Sequence, residues 1–243
     1  MNLTDAQKCA TLCRLVYDGD PDVLATVLGA TPHVKSVGDL FCAISDGDVQ
    51  YVILRGTVGL GSWILDLEAE PVALPGFPGR VHRGFAKAFG ELEPWLDLAI
   101  ANRLTRSRPI QVTGHSLGGA LATLISYYLH EAGYELLPVM TFGSPRVGSA
   151  AFVAGYELPQ WRVVNDLDPV PHVPSLWHYA HVGEEVRLPE GSPAGPWREL
   201  SGLWQHARNG IGATAMEAVK DHQIQSYCDG IVALAQEKSN GAA

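Results

Sequence analysis

The sequence predicts an α/β fold in which helices cover both faces of a mostly parallel central sheet. Strand-like and helix-like patterns alternate along the middle of the chain, an order that joins parallel strands through helices. The composition, with 47% hydrophobic and 18% charged residues, is that of a globular chain with a sizeable core. No internal repeat, low-complexity tract or linker divides the 243 residues. We therefore expect a single domain over residues 1–243.

The N-terminal region predicts two consecutive helices. Thr4 followed by Gln7 matches a capping box, in which each side chain satisfies a backbone amide at the start of a helix. Asp20-Pro21 suits the cap and first turn of a second helix, and Gly29 suits its end. These signals place both helices before the first strands.

A hairpin and then alternating elements follow. Two apolar runs, over residues 40–45 and 49–54, flank the turn sequence Asp46-Gly47-Asp48 and predict a β-hairpin. The later predicted elements are a helix over 84–104, a strand over 110–113, a helix over 117–130, a strand over 138–142, a helix over 150–157 and a strand over 161–165. Pro-rich loops begin at residue 166, beyond the last of these strands, where binding sites of parallel sheets form.

Charge and apolar content exclude several classes of partner. The 17 basic and 26 acidic residues give a net charge of −9, whereas nucleic-acid binding draws on clustered cations, so nucleic acid is not an expected partner. No apolar run reaches the roughly 18 residues of a transmembrane helix, so no integral membrane segment is expected. Residues 1–5 do not resemble the start of a signal peptide, so we predict a cytoplasmic protein, although a secreted chain with its leader removed would look the same.

Cysteine usage points to free thiols. The chain has four cysteines, too few for a disulfide scaffold, at Cys9, Cys13, Cys42 and Cys228. Cys9 and Cys13 lie four residues apart in a helical pattern, which favours burial against the core. No second pair at metal-binding spacing follows them, so these cysteines are not expected to bind a metal.

The segment Gly114-His115-Ser116-Leu117-Gly118-Gly119 carries the clearest chemical signal. It contains G-x-S-x-G between a predicted strand and a predicted helix, the setting in which a strained turn presents a serine hydroxyl. Gly114 and Gly118 remove side chains that would collide around that turn. The first amides of the helix would face a developing oxyanion. Ser116 is therefore the candidate nucleophile, and a glycine-rich turn with an incidental serine is the weaker interpretation.

A nucleophilic serine needs a histidine oriented by a carboxylate, in the chain order serine, acid, histidine. Two aspartates, Asp166 and Asp168, follow the last predicted strand. The histidines after Ser116 are His172, His178, His181, His206 and His222. The order of residues alone does not choose among them.

Several sequence blocks then appear in a fixed order. They are Leu54-Arg55-Gly56-Thr57 with Trp63 and Asp66, the segment 81–85, the segment 114–119, the segment 141–148, and the segment 168–174. In this order, over about residues 49–227, the chain resembles the fungal-type class 3 lipases of the α/β-hydrolase fold. Because the motifs are independent of one another, the resemblance is more specific than the serine motif alone.

The resemblance implies roles for five residues. Ser116 matches the family's nucleophile, Asp168 its acid and His222 its catalytic histidine. Thr57 matches the residue that offers an amide and a hydroxyl to the oxyanion, and Leu117 supplies a second amide. The remaining aspartate and histidines are then expected to have structural roles.

The stretch 58–66 corresponds to the family's lid. Val58, Leu60, Trp63 and Ile64 would cover the cleft or contact substrate, with glycines between them that can absorb backbone rotation. The alternative is a fixed loop whose tryptophan belongs to the core.

The implied activity is hydrolysis of carboxylic esters of lipids, both acylglycerols and short- and medium-chain acyl esters, through an acyl-enzyme. The expected partners are a lipid or other ester substrate and, transiently, a lipid–water interface. One alternative is a feruloyl or other aryl-ester esterase. A non-catalytic binding module of the same fold is less favoured, because such modules typically lose a triad residue and this chain keeps all three.

Overall fold

The computed structural model describes residues 1–56, 70–165, 168–174, 178–189 and 222–241. Its helices are α1 (Leu3–Asp18), α2 (Pro21–Leu28), α3 (Arg83–Arg103), α4 (Leu117–Glu131), α5 (Ala150–Gly155), α6 (Ile224–Gly241) and a short 3-10 helix (Val170–His172). Its strands are β1 (His33–Val37), β2 (Leu40–Ser45), β3 (Gln50–Arg55), β4 (Pro71–Val72), β5 (Val81–His82), β6 (Ile110–His115), β7 (Val139–Phe142), β8 (Gln160–Val164) and β9 (Glu184–Arg187).

The central sheet confirms the predicted fold class. Its strand order is β1-β2-β3-β6-β7-β8-β9. The pairs β1–β2 and β2–β3 are antiparallel, and every later pair from β3 to β9 is parallel. All residues of β2, β6 and β7 are buried, as expected for strands that lie between two layers of helices.

Each face of the sheet has its own apolar layer. Helices α3 and α4 bury side chains such as Phe85, Phe89 and Leu121 in the larger cluster. On the other face, α1 packs against α6, where Cys13 and Tyr227 share a cluster. Cys9, Cys13 and Cys42 are buried and free, and Cys228 is also free. No helix in the described ranges is long and apolar enough to cross a bilayer.

The N-terminal helices differ from the prediction at one cap. Asn2, not Thr4, caps α1, because its side chain accepts hydrogen bonds from the amides of Thr4 and Asp5. The capping box predicted at Thr4 and Gln7 was therefore wrong by two residues. Asp20 caps α2 as predicted, and Gly29 ends it in the left-handed conformation.

The predicted hairpin is confirmed as β2 and β3, but its outer neighbour was missed. Strand β1 pairs with β2 at one edge of the sheet and has only exposed and half-buried residues. It therefore lacks the continuous apolar run that made the inner strands visible in the sequence. The buried inner strands position the turn after β6, where the candidate site lies.

Candidate active site

Ser116 occupies a strained turn between β6 and α4. Its φ is 58° and its ψ is −127°. Among the described residues, it is the one residue other than glycine that has a positive φ. A conformation of this kind costs about 1–3 kcal/mol and persists where the surrounding packing imposes it. The Ser116 hydroxyl is buried and has no hydrogen-bond partner among the described residues. The strand–turn–helix setting that the motif predicted is thus present.

Close backbone packing imposes that turn. A Cβ on Gly114 would lie 2.1 Å from the carbonyl oxygen of Gly118, and one on Gly118 would lie 2.3 Å from that of Leu54. Both distances are far below contact, so helix α4 approaches β6 and β3 with nothing but backbone between them. The two glycines are therefore required for the reason the sequence suggested.

Asp168 and His222 form a buried pair. His222 Nδ1 is hydrogen-bonded to Asp168 Oδ2, and both side chains are almost fully shielded from solvent. The amide of Val170 donates to Asp168 Oδ1 at 2.8 Å, so the 3-10 helix after β8 holds the second carboxylate oxygen. Both oxygens of the carboxylate are thereby fixed, and the imidazole orientation is fixed with them.

Tyr227 on α6 also binds the carboxylate. Its hydroxyl donates to Asp168 Oδ2, the oxygen that His222 uses, and accepts from the amide of Asn165 at 3.4 Å. Burial and the adjacent Asp168 carboxylate raise the pKa of Tyr227, so the phenol keeps its proton. Nothing in the sequence indicated a hydrogen bond between Tyr227 and this aspartate.

His115 links the Asp168–His222 pair to the Ser116 turn. The His222 ring stacks on His115, with ring centroids 4.4 Å apart and an interplanar angle of 27°, and His115 directly precedes Ser116. His222 Nε2 is buried and, like the Ser116 hydroxyl, has no hydrogen-bond partner among the described residues. Unpaired buried polar atoms cost about 1–3 kcal/mol each, so such atoms on Ser116 and on the ring that stacks against its neighbour call for an explanation.

Gly143 makes room for this arrangement at the end of β7. It has a φ of 55°, and a Cβ there would lie 2.4 Å from His222 Cε1 and 2.6 Å from Asp168 Oδ2. The Tyr227 hydroxyl would be 2.9 Å away. The acid–histidine pair therefore packs directly against the backbone of Gly143. The sequence did not indicate this role.

We expect Gly143→Ala to lower kcat for ester hydrolysis by about 10²-fold, because the new methyl group displaces His222 and Asp168. Gly133→Ala is the matched control. Gly133 also has positive φ, 81°, but a Cβ there would meet only Arg106 Nε, at 3.6 Å. The positive φ should cost each variant about 1–2 kcal/mol of stability in thermal or urea unfolding, and Gly143→Ala should lose more because its methyl group also overlaps buried side chains. Equal kcat losses in the two variants would contradict the assignment of Gly143 to the site.

Other predicted residues divide into two groups. Leu117 begins α4 directly after Ser116 and is buried, so its backbone lies at the helix N-terminus as expected. Seven residues lie outside the described ranges. Five of them were predicted for the oxyanion and the lid, Thr57, Val58, Leu60, Trp63 and Ile64, and two were alternatives for the acid and the histidine, Asp166 and His206. Their roles stay predictions.

Two other described histidines have hydrogen-bond partners of their own, and His172 has an exposed side chain. His181 Nε2 lies 2.7 Å from the carbonyl oxygen of Pro171, and burial lowers its pKa to about 3. His82 caps α3 by accepting from the amide of Gly84, and His172 is exposed. Among the described residues, no group of three potential ligands is placed to hold a metal ion.

Comparison with known proteins identifies the family. Residues 51–177, more than half of the chain, match the family described as lipase (class 3). The chain belongs to the class 3 lipases. The lipase of Rhizomucor miehei is 36% identical over 169 residues, covering 64% of this chain and 47% of the relative. The secreted mono- and diacylglycerol lipase 1 of Fusarium solani is 32% identical, covering 71% and 55% respectively.

Solved structures agree with this assignment. The native propeptide complex of Rhizomucor miehei lipase superposes with a TM-score of 0.64 at 30% identity, covering 79% of this chain and 68% of that chain. The predicted resemblance and the α/β-hydrolase fold are thereby confirmed. This class 3 lipase spans about half the length of the two fungal relatives, 47% and 55%. The relatives do not support the expectation of a cytoplasmic protein, since one of them is named as secreted.

Proposed function

We propose that this class 3 lipase hydrolyses carboxylic esters of lipids, both acylglycerols and short- and medium-chain acyl esters, through a covalent acyl-enzyme. The observation that carries the proposal is the buried Ser116 hydroxyl on its strained turn, without a hydrogen-bond partner among the described residues, together with the buried Asp168–His222 pair, whose imidazole stacks on the residue before Ser116. Relatives named as a mono- and diacylglycerol lipase and as a chloroplastic phospholipase A1 of Arabidopsis thaliana favour lipid esters over aryl esters.

In the proposed acylation step, His222 Nε2 removes the proton of Ser116 while Oγ forms a bond to the ester carbonyl carbon. The carbonyl oxygen becomes an oxyanion. The bond from carbon to the alcohol oxygen then breaks, and His222 gives its proton to the departing alcohol. A water molecule, deprotonated by the same nitrogen, attacks the acyl-enzyme, so that the acid leaves and Ser116 regains its proton.

Asp168 has a supporting role in this proposal. Its Oδ2 accepts from His222 Nδ1, which directs the lone pair of Nε2 toward the serine and stabilises the imidazolium that forms. Tyr227 and the Val170 amide also donate hydrogen bonds to this carboxylate and hold it in place. The aspartate therefore orients and stabilises without taking the proton itself.

The oxyanion and lid assignments extend the proposal. We assign the oxyanion to the amides of Thr57 and Leu117 with the Thr57 hydroxyl, and the cover of the cleft to Val58, Leu60, Trp63 and Ile64. Leu117 stands at the N-terminus of α4, where the helix dipole favours negative charge. The chemistry needs no cofactor, and a lipid–water interface is the surface such a cover would meet.

We also propose one domain, because α1 and α6, near opposite ends of the chain, pack together.

The test is a panel of esters with the purified protein. We expect turnover of dissolved p-nitrophenyl acetate and butyrate, weaker hydrolysis of emulsified triglyceride, and labelling of Ser116 by a fluorophosphonate. A preference for methyl ferulate would replace the proposal with an aryl-ester esterase. Absence of both labelling and turnover would indicate a non-catalytic binding module.

A further inference from the structure

We propose that Tyr17, on helix α1, is a positioning residue that holds His115 in one neutral tautomer and so keeps the ring that supports His222 uncharged. The proposal rests on the function proposed above, since its effect is exerted through His222. Tyr17 lies before residue 51, where the match to the family begins. Helix α1 would then contribute to the reaction from outside the matched region.

The Tyr17 hydroxyl lies where three parts of the site meet. It is 2.7 Å from His115 Nδ1. A Cβ on Gly56 would lie 2.8 Å from the Tyr17 hydroxyl and 2.9 Å from Ser116 Cβ, so these groups leave no space between them. Gly56 directly precedes Thr57 in the chain. Tyr17 therefore contacts both the segment before the nucleophile and the segment before the proposed oxyanion residue.

The hydrogen-bond pattern decides which tautomer His115 adopts. Among the described residues, His115 Nδ1 is the hydrogen-bond partner of the Tyr17 hydroxyl, so the phenolic proton is donated to that nitrogen. Burial raises the pKa of Tyr17, so this donor keeps its proton. His115 Nδ1 is then an acceptor, and the single proton of the neutral ring lies on Nε2.

A neutral His115 matters because of what His222 does. When His222 takes the serine proton it becomes positively charged, with its ring centroid 4.4 Å from that of His115. A second positive charge there would oppose the step, whereas a neutral ring leaves it unopposed. Burial and the proximity of His222 already lower the pKa of His115. Among the described residues, the titratable or charged groups that face these two rings and Tyr17 are Cys13, Arg55, Asp168 and Tyr227.

Tyr17→Phe tests the proposal, because it keeps the aromatic ring and removes only the hydroxyl. Without the donor at Nδ1, His115 accepts a proton more readily, so the acidic limb of the kcat/KM profile should move to higher pH by about half a unit or more. On dissolved p-nitrophenyl butyrate, kcat should fall about tenfold with KM unchanged, as expected for the loss of one buried hydrogen bond that acts in the transition state.

Two further variants distinguish positioning from a structural role. Tyr156→Phe removes another buried hydroxyl, which is 2.8 Å from Ser126 Oγ and 2.7 Å from Gln160 Oε1, so it should lower the Tm without moving the pH profile. In a His115→Phe background, where the stacked ring cannot titrate, Tyr17→Phe should cause no further shift. An unmoved profile in Tyr17→Phe, or an equal shift in the His115→Phe background, would overturn the proposal.

Nitrogen NMR of His115 separates this proposal from the proposed function. In the wild-type protein we expect the imidazole nitrogen shifts of a neutral ring with its proton on Nε2. In Tyr17→Phe we expect the shifts of a mixture of tautomers or of a protonated ring. A chain that shows these shifts but neither turns over esters nor reacts with a fluorophosphonate would disprove the function alone. A ring protonated on Nδ1 would disprove the role of Tyr17 alone.

Discussion

Ser116→Ala is expected to lower kcat for p-nitrophenyl butyrate on the order of 10⁶-fold and to abolish fluorophosphonate labelling. The change removes the only atom that forms the proposed acyl bond and leaves the turn, the helix and the acid–histidine pair in place. Alanine tolerates the backbone of position 116 about as well as serine does, so the loss should be chemical rather than structural. Steady-state rates and intact mass after labelling measure it.

The thermal stability of Ser116→Ala should not fall together with its activity. The Ser116 hydroxyl is buried and has no hydrogen-bond partner in the part of the chain that the structure describes, so its removal should leave the Tm unchanged or slightly raised. Ser126→Ala is the matched control, because the Ser126 hydroxyl is buried and bonded to the Thr123 carbonyl at 2.9 Å. That variant should be less stable and remain active. Retention of more than a tenth of wild-type activity in Ser116→Ala would show that Ser116 is not the nucleophile.

His222→Ala is expected to cause a loss of similar size, on the order of 10⁶-fold in kcat, because the serine then lacks its general base. The reaction of Ser116 with a fluorophosphonate should slow as well, since the same base activates the serine toward that reagent. Removal of the imidazole also leaves Asp168 buried with Tyr227 and the Val170 amide as its partners. We therefore expect a lower Tm, measured beside the kinetic loss.

His172→Ala is the control for the choice of histidine. His172 follows Asp168 in the chain and satisfies the same order of residues, but its side chain is exposed. It should keep nearly all activity. The reverse result, with His172→Ala inactive and His222→Ala active, would show that the segment after β8 is wrongly assigned.

The nucleophile turn was predictable because its signal is local. The strand, the glycines and the helix that hold Ser116 lie within 22 consecutive positions, residues 110–131, and each has a recognisable pattern. The acid and the histidine that act with Ser116 were harder to predict. The order of residues left two aspartates and five histidines open, and only the resemblance to a family selected Asp168 and His222. Strand β1 was missed because an exposed edge strand carries no apolar run.

The sequence by itself determined the fold class and the class 3 lipase family, and it predicted the three residues of the candidate site. Only the tertiary structure decided how that site is supported. The Tyr17–His115 contact joins residues 98 positions apart, and the Tyr227–Asp168 contact joins residues 59 positions apart. The need for glycine at position 143 arises because His222, Asp168 and Tyr227 converge on one point. Contacts of this kind exist only once the sheet has brought distant segments together, so no local pattern of residues records them.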